Sequence, residues 1–314
     1  MNIPLVSIIV PVYNGQKTIA KCIESLLKAE YPRKEIIIID NGSTDATLKI
    51  VSRYPVKLII EKRRGAYIAR NTGIAHARGE IILFTDADCI VDKNWIKCIV
   101  RNYRDERIWG VGGSILPYTR PHAPYTPRTL IEKYSISSHF FAFPVGKTIN
   151  KVIELSRKPG VLHSGCFYTA NASFRKEALM KVGNFDESFF SGGDIDICYR
   201  ILNKGGKLIF DPDAKVYHIP RDNILSLIRQ FFKYGLATAQ LVKKHFHNRR
   251  YILLGHYVKI VKNIAIFLVR LITVLFKKGD KLFYLLYPII DNVVIFSLIL
   301  GKIVGSFRYK VIVL

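Results

Sequence analysis

The stretch ILFTDADCIV, Ile82 to Val91, runs apolar to Thr85, sets Asp86 and Asp88 two residues apart, and turns apolar again. Residues two apart in extended structure point to one face, so the two carboxylates would repel unless something positive lay between them. A divalent cation answers that need. Mg²⁺ takes one or two carboxylates and completes its shell with substrate phosphates and water, and Mn²⁺ suits the same oxygens. Polar residues follow two earlier β-rich runs in the same way, in PVYNG after the first and DNGSTD after the second. Open parallel sheets bind ligands at the carboxyl ends of their strands. A nucleotide lying across these three ends would place Tyr13 against its base and Asp40 as acceptor for base or ribose. No G-x-G-x-x-G follows the first run, which disfavours a dinucleotide cofactor.

The elements that must hold these residues are legible in the periodicity. LVSIIVPV, EIIIID, VKLII and EIILFT are short β-rich runs separated by helical patterns, the first through Ile19, Ile23, Leu26 and Leu27. Strands apolar on both faces and separated by helices predict an α/β, Rossmann-like, mostly parallel sheet with helices on both faces. Between Leu116 and Gly165 the pattern weakens around Pro117, Pro121, Pro124 and Pro127, followed by Phe140, Phe141 and Phe143. Such a stretch reads as an acceptor-side lid. Periodicity returns with a strand in CFYTANASF, a helix from about Arg175, SGGDIDICYRILNKGG, and two strands, KLIF and AKVYHI. Beyond Pro220 only helices are expected. The organisation predicted is a catalytic domain over 1–220 and a helical region over 221–314.

With 314 residues and 49% hydrophobic content the chain can bury a sizeable core. Its five dispersed cysteines include no C-x-x-C pair, so neither a disulfide framework nor a zinc knuckle is expected, and a reducing cytoplasm fits. LVSIIV is short and lacks a basic leader, so no secretory signal is read there. The formal charge is +24, and residues 221–314 carry 16 Lys+Arg against 3 Asp+Glu where the sequence is also most apolar. Basic and apolar together point to an anionic membrane surface and away from nucleic acid. In YVKIVKNIAIFLVRLITVLFKK, Lys259, Lys262, Asn263, Arg270, Thr273 and Lys277 recur three or four apart, which predicts a basic amphipathic helix lying in the plane of a leaflet. LFYLLYPIIDNVVIFSLILGKIVG is long enough to cross a bilayer but is interrupted by Pro288, Asp291 and Asn292.

VSIIVPVYNGQKTIAKCIESLL, IIIIDNGSTDAT, GAYIARNTGIAHARGEIILFTDADC, ANASFRKEALMKVGNFDESFFSGGDIDICYRI and PDAKVYH resemble, in order and spacing, family 2 of the glycosyltransferases with the GT-A fold, over Val6 to His218. The resemblance implies an inverting transferase that uses a nucleotide-diphosphate sugar and a divalent metal. By it Pro11, Tyr13, Asn14 and Asp40 hold the nucleotide, and Arg64, Arg70, Asp86 and Asp196 complete the nucleotide-sugar set. Asp86 and Asp88 form the D-x-D metal site, with His218 as a further ligand. Asp194 is the catalytic base, and the Glu that precedes this residue in the family is here Gly193. Inversion needs such a carboxylate on the acceptor side, taking the hydroxyl proton as the oxygen attacks the anomeric carbon. The competing role for Asp194 is an N-cap for IDICYRIL. Taken with the C-terminal third, the expectation is hexosyl or N-acetylhexosaminyl transfer to a lipid-linked or polysaccharide acceptor at the cytoplasmic face of the membrane. A sugar-phosphate nucleotidylyltransferase would need a Gly-rich basic phosphate loop after the first strand, which PVYNGQKT does not supply.

Overall fold

The computed structural model describes residues 3–119, 126–138, 153–155, 165–246, 250–251 and 254–313. In chain order its elements are β1 (Val6–Val12), α1 (Ile19–Lys28), β2 (Lys34–Asp40), α2 (Thr47–Val51), β3 (Lys57–Ile60), α3 (Ala66–His76), β4 (Ile81–Phe84), β5 (Cys89–Val91), α4 (Trp95–Val100), β6 (Ile108–Pro117), α5 (Leu130–Ser137), β7 (Ile153–Leu155), β8 (Ala172–Arg175), α6 (Lys176–Lys181), α7 (Gly193–Asn203), β9 (Lys207–His218), α8 (Ile224–His245), β10 (Arg250–Tyr251), α9 (Leu254–Thr273), α10 (Lys281–Tyr309) and β11 (Ile312–Val313). They form two compact units, Met1–Tyr118 with Phe141–Ile219, and Thr119–Phe140 with Pro220–Leu314. Residues 119–140 thus belong with the C-terminal helices, where a single cut after residue 220 was expected.

The first unit is built on one sheet of order β3-β2-β1-β4-β8-β6-β9-β5, with β7 also on β9. β1 to β4 are mutually parallel. β8 then runs antiparallel to both β4 and β6, which makes the sheet mixed beyond β4. Alternation along the strands serves two helical layers. Val6, Ile8, Val10, Ile36, Ile38, Ile81 and Leu83 join the cluster containing Ile19, Ile23 and Leu26 of α1 and Trp95, Ile96 and Ile99 of α4. On the opposite face Ile9 lies against α3, where a Cβ added to Gly73 would sit 2.5 Å from Ile9 Cγ2. Phe84, Phe174 and Phe185 continue that face as edge-on aromatic pairs.

Two local readings change. Asp86 and Asp88 do not share the face of an extended strand, because β4 ends at Phe84 and the Cys89 N–H closes a turn on the Asp86 carbonyl at 3.0 Å. The turn separates the carboxylates. KLIF and AKVYHI are one strand, β9, whose register against β6 jumps from Gly113↔Asp211 to Ser114↔Lys215. The bulge takes up Pro212, which cannot donate to a ladder.

In the second unit α8 and α10 approach at backbone distance. A Cβ on Gly301 would lie 2.1 Å from the Phe232 carbonyl oxygen, and one on Gly235 2.2 Å from that of Leu298. Gly301 and Gly305 form the small-xxx-small spacing that lets helix backbones meet. The 29-residue α10 runs unbroken through Pro288, contrary to the interruption read from its sequence. Proline has no N–H and so leaves the carbonyl four residues earlier, that of Tyr284, without its helical donor. Arg270 of α9 supplies one, its Nη1 donating to the Tyr284 oxygen at 2.6 Å.

Arg270 is therefore turned inward, and Lys259, although exposed, pairs with the buried Asp291 at 3.0 Å. Asn263 Nδ2 and the Tyr134 hydroxyl also donate to Asp291, each at 2.7 Å. Lys262 and Lys277 stay exposed. The expected lipid-facing basic stripe is split, because Asn263 and Arg270 of α9 pack on α10 while Val261, Leu268 and Ile272 turn outward.

Exchanging Arg270 for Met should orphan the Tyr284 carbonyl and cost about 1–3 kcal/mol of stability. Adding Pro288→Ala restores the missing N–H and should recover most of that loss, read as thermal unfolding in detergent. Equal melting of Arg270→Met and wild type would show that the carbonyl does not depend on Arg270.

Candidate functional site

The carboxyl ends of β1, β2 and β4 lie side by side, and the loops beyond them carry the polar residues. At the end of β2, Asp40 is 1% exposed. Its Oδ2 accepts from the N–H groups of Gly42 and Ser43, both at 3.0 Å. Its Oδ1 is buried and has no hydrogen-bond partner among the described residues. An unsatisfied buried acceptor costs about 1–3 kcal/mol, so this oxygen is set for a donor from outside the chain.

The loop after β1 is bound to the loop after β2. Asn14 holds φ 50. Its N–H donates to Ser43 Oγ at 2.9 Å, and its Oδ1 accepts from the Thr44 N–H at 2.8 Å. Pro11 sits in β1 beyond its last pair with β4, Ile9↔Phe84, so its missing N–H removes no bond from that ladder. Tyr13 is 52% exposed, and Arg64 lies over its ring at 4.3 Å. Asn41 sets the position of Arg64. This buried amide donates to the carbonyls of Glu61 and Arg63 and accepts from the Gly65 N–H, pinning the loop that carries the arginine. Sequence reasoning passed over Asn41, although Asn before Gly is a turn signal.

Beyond β4, Asp86 and Asp88 have different partners. Arg70, its side chain 5% exposed, donates through Nη2 to Asp86 Oδ1 at 2.7 Å. Its Nε is buried without a partner among the described residues. Burial pushes the Asp86 carboxyl up, the charge of Arg70 pulls against it, and the charge of Asp88 adds to the rise. Asp88 Oδ2 lies 3.3 Å from His218 Nε2, because β5 and β9 pair in a register that sets Cys89 opposite His218. Asp88, Cys89 and His218 offer ligand atoms within 4.8 Å of one another, and Asp86 is outside that group. Burial and the charges of Asp88 and Asp86 push the Cys89 thiol well up, and a soft sulfur donor suits a hard divalent cation less well than oxygen or imidazole. Carboxylate and imidazole are thus the donors suited to a divalent cation, and one of each fits Mn²⁺.

Asp194 lies in the first turn of α7, entered through Gly192 in the left-handed region. Its Oδ1 accepts from its neighbour's N–H, on Ile195, at 3.0 Å and lies 3.5 Å from the Tyr67 hydroxyl. Burial pushes the Asp194 carboxyl up against the pull of Arg70 and of nearby backbone N–H groups. A carboxyl poised above its ordinary range is a better proton acceptor than a fully solvated one. Asp196 is a correction. It is 0% exposed and paired with Arg200 at 2.8 Å. Arg200 in turn binds the Val182 and Asn184 carbonyls, so Asp196 braces the helix from inside and leaves the candidate ligand set.

The lid expected over Leu116–Gly165 falls largely outside the described residues, Phe140, Phe141 and Phe143 included. Its described part contains α5, started by a capping box between Thr129 and Glu132. That T-x-x-E signature stood in the sequence unread.

The glycosyl transferase family 2 model matches residues 7–183. The chain is 28% identical over 248 residues to glycosyltransferase AglE of Haloferax volcanii, covering 76% of this chain and 75% of that one. It is 24% identical over 258 residues to the dolichyl N-acetyl-alpha-D-glucosaminyl phosphate 3-beta-D-2,3-diacetamido-2,3-dideoxy-beta-D-glucuronosyltransferase of Methanococcus voltae, covering 77% and 75%. Among solved structures, mannosyltransferase PcManGT from Pyrobaculum calidifontis, in complex with GDP-Man and Mn²⁺, aligns with a TM-score of 0.59 at 19% identity over 98% of this chain and 76% of that one. This last likeness shows the GT-A fold.

Asp88→Asn and His218→Ala should each weaken Mn²⁺ binding about ten-fold or more in the presence of a nucleoside diphosphate, whereas Cys89→Ser should change it less than about two-fold. Isothermal titration calorimetry reads all three. A loss for Cys89→Ser as large as for Asp88→Asn would mean that the thiol is a ligand.

Proposed function

The chain belongs to glycosyl transferase family 2, and from that premise we propose that it is an inverting, metal-dependent enzyme transferring a hexosyl or N-acetylhexosaminyl group from a nucleotide-diphosphate sugar to a lipid-linked or polysaccharide acceptor. The observation that carries the donor reading is the orphaned Oδ1 of Asp40, buried beside Tyr13 and Arg64 at the strand ends. A base N–H satisfies that oxygen, and an aromatic ring capped by a guanidinium offers the base a stacking surface. Asn14 holds the two flanking loops together, and Pro11 lies near the end of the pairing between β1 and β2 beneath them.

In the transfer step the acceptor hydroxyl attacks the anomeric carbon while the bond from that carbon to the diphosphate oxygen breaks. The bonding pair leaves with the nucleoside diphosphate, and Asp194 takes the hydroxyl proton. Its Oδ1 is held by the Ile195 N–H and the Tyr67 hydroxyl. Asp88 and His218 would hold the divalent cation, which supplies positive charge against the developing diphosphate. Arg70 fixes Asp86 at the edge of the same site. Because the base must be ionised, transfer should rise with pH through the raised pKa of Asp194.

The acceptor reading draws support from the name of the Methanococcus relative and from the C-terminal helices. α10 is long and apolar enough to cross a membrane, with a mean hydropathy of 2.0. On α9 the inward polar positions and outward apolar ones invert the arrangement of a soluble helical pair. We read α9 and α10 as embedded in the bilayer, with Asp291, Asn263 and Tyr134 sealed between protein elements as buried polar groups in lipid must be, and Lys259 reaching Asp291 from the surface. The cytoplasmic face of the membrane is the side on which nucleotide sugars would meet the enzyme.

Asp194→Asn should retain donor binding within about two-fold and lose transfer by about 10²-fold or more, with the wild-type product carrying the inverted anomeric configuration by NMR. Retained configuration, or transfer by Asp194→Asn at the wild-type rate, would overturn the assignment. Changing Val261, Leu268 and Ile272 together to Asn should shift the full-length protein from the membrane pellet towards the soluble fraction after carbonate washing. Changing Asn263, which is buried against Asp291, to Gln should not. An unwashed full-length protein found wholly in the soluble fraction would end the membrane reading.

A further inference from the structure

Where the family has Glu before its base, this chain has Gly193, and Tyr67 occupies the position's surroundings. A Cβ built on Gly193 would lie 2.8 Å from both Cε2 and Cζ of Tyr67. Residue 193 has no room for a side chain while that ring is in place. The ring is fixed on its other sides as well. Phe185 stacks on it at 5.4 Å between centroids, and the Arg70 guanidinium lies 5.3 Å from its centre. Tyr67 is buried, and its hydroxyl reaches Asp194 Oδ1 at 3.5 Å, the outer limit of a hydrogen bond. Burial and the charge of Asp194 push the phenol well above its usual range, so the proton stays on the tyrosine and the hydroxyl is the donor.

We propose that Tyr67 is a positioning residue for transfer, its hydroxyl orienting Asp194 while its ring, seated on Gly193 and beneath Arg70, ties the base to the arm that holds Asp86. The proposal rests on the reading of Asp194 as the base. The arrangement lets a neutral phenol do the orienting where a second carboxylate would raise the charge of the site. A hydrogen bond donated to Asp194 favours its ionised form, so losing the bond should raise the carboxyl's pKa further. Rotation of Asp194 away from the acceptor becomes costlier while the hydroxyl is in place. Tyr67 and Gly193 therefore form a complementary pair, and a side chain at position 193 would have to displace the Tyr67 ring.

Tyr67→Phe in the full-length protein keeps the ring against Gly193, Phe185 and Arg70 and removes only the hydroxyl. It should lower kcat about ten-fold, leave the donor KM within about two-fold, and move the acidic limb of the kcat profile to higher pH. Gly193→Ala, which forces the ring aside, should show the same signature. Tyr67→Ala combined with Gly193→Glu should transfer faster than Tyr67→Ala alone, because it opens the space a Glu-Asp pair needs. Wild-type kcat and an unmoved acidic limb in Tyr67→Phe overturn the proposal, as does a raised donor KM at unchanged kcat, which would place Tyr67 on the donor side. Asp194→Asn separates the two readings. If it is inactive while Tyr67→Phe is unaffected, the positioning role alone falls; if it transfers normally, the base assignment falls and the role of Tyr67 with it.

Discussion

The buried guanidinium of Arg70 joins the two arms of the candidate site that carry Asp86 and Asp194. Arg70 leaves α3 with its side chain 5% exposed, binds Asp86 at 2.7 Å, and lies against the ring of Tyr67, whose hydroxyl meets Asp194. A guanidinium so deeply placed carries a desolvation cost of several kcal/mol, which only well-formed pairing offsets. Asp86 provides that pairing only because the chain turns immediately after β4. Arg70 faces the turn only because α3 packs closely on β1 through Gly73. Strand order, helix packing and the position of Asp194 therefore converge on one charge.

Buried polar groups in this molecule fall into fully engaged ones and a few with an unmet atom. Asp211 is buried and fully engaged, accepting from Arg101 Nε and Nη2, Asn102 Nδ2 and the Asp213 N–H. Asp196 is likewise held by Arg200. These carboxylates brace loops. At the strand ends the pattern differs, since Asp40 Oδ1 and Arg70 Nε are buried and lack partners among the described residues. Each such atom costs about 1–3 kcal/mol unless a ligand meets it.

Much of this was legible in the sequence because it follows from local pattern. Alternating β-rich and helical periods gave the four parallel strands, and Tyr13, Asp40 and Asp86 stood out as polar residues interrupting apolar runs. What failed depended on partners distant in sequence. Asp86 and Asp88 looked alike until the turn sent one to Arg70 and the other to His218, 130 positions away on β9. Asp196 looked like Asp194 because spacing alone does not show that residue 196 faces inward on a helix. Lys259 and Arg270 fitted a lipid-facing stripe by period. Their true partners, Asp291 and the Tyr284 carbonyl, lie on another helix, and the need for Arg270 arises from a proline that only breaks a helix when nothing satisfies the carbonyl it frees. Tyr67 carried no signal of its own, since its place is defined by the absence of a side chain at Gly193.

The measurement that tests the central claim most directly is nucleoside diphosphate release from a panel of UDP- and GDP-sugars with Mn²⁺, in the presence of membrane lipid extract as acceptor source. Release from one donor class, stopped by excess chelator and greatly reduced in Asp40→Ala through a raised donor KM, is the result expected if the orphaned oxygen receives the base and the cation meets the diphosphate. Failure of every nucleotide sugar, UDP and GDP to bind, or release that is indifferent both to chelator and to Asp40→Ala, would contradict it.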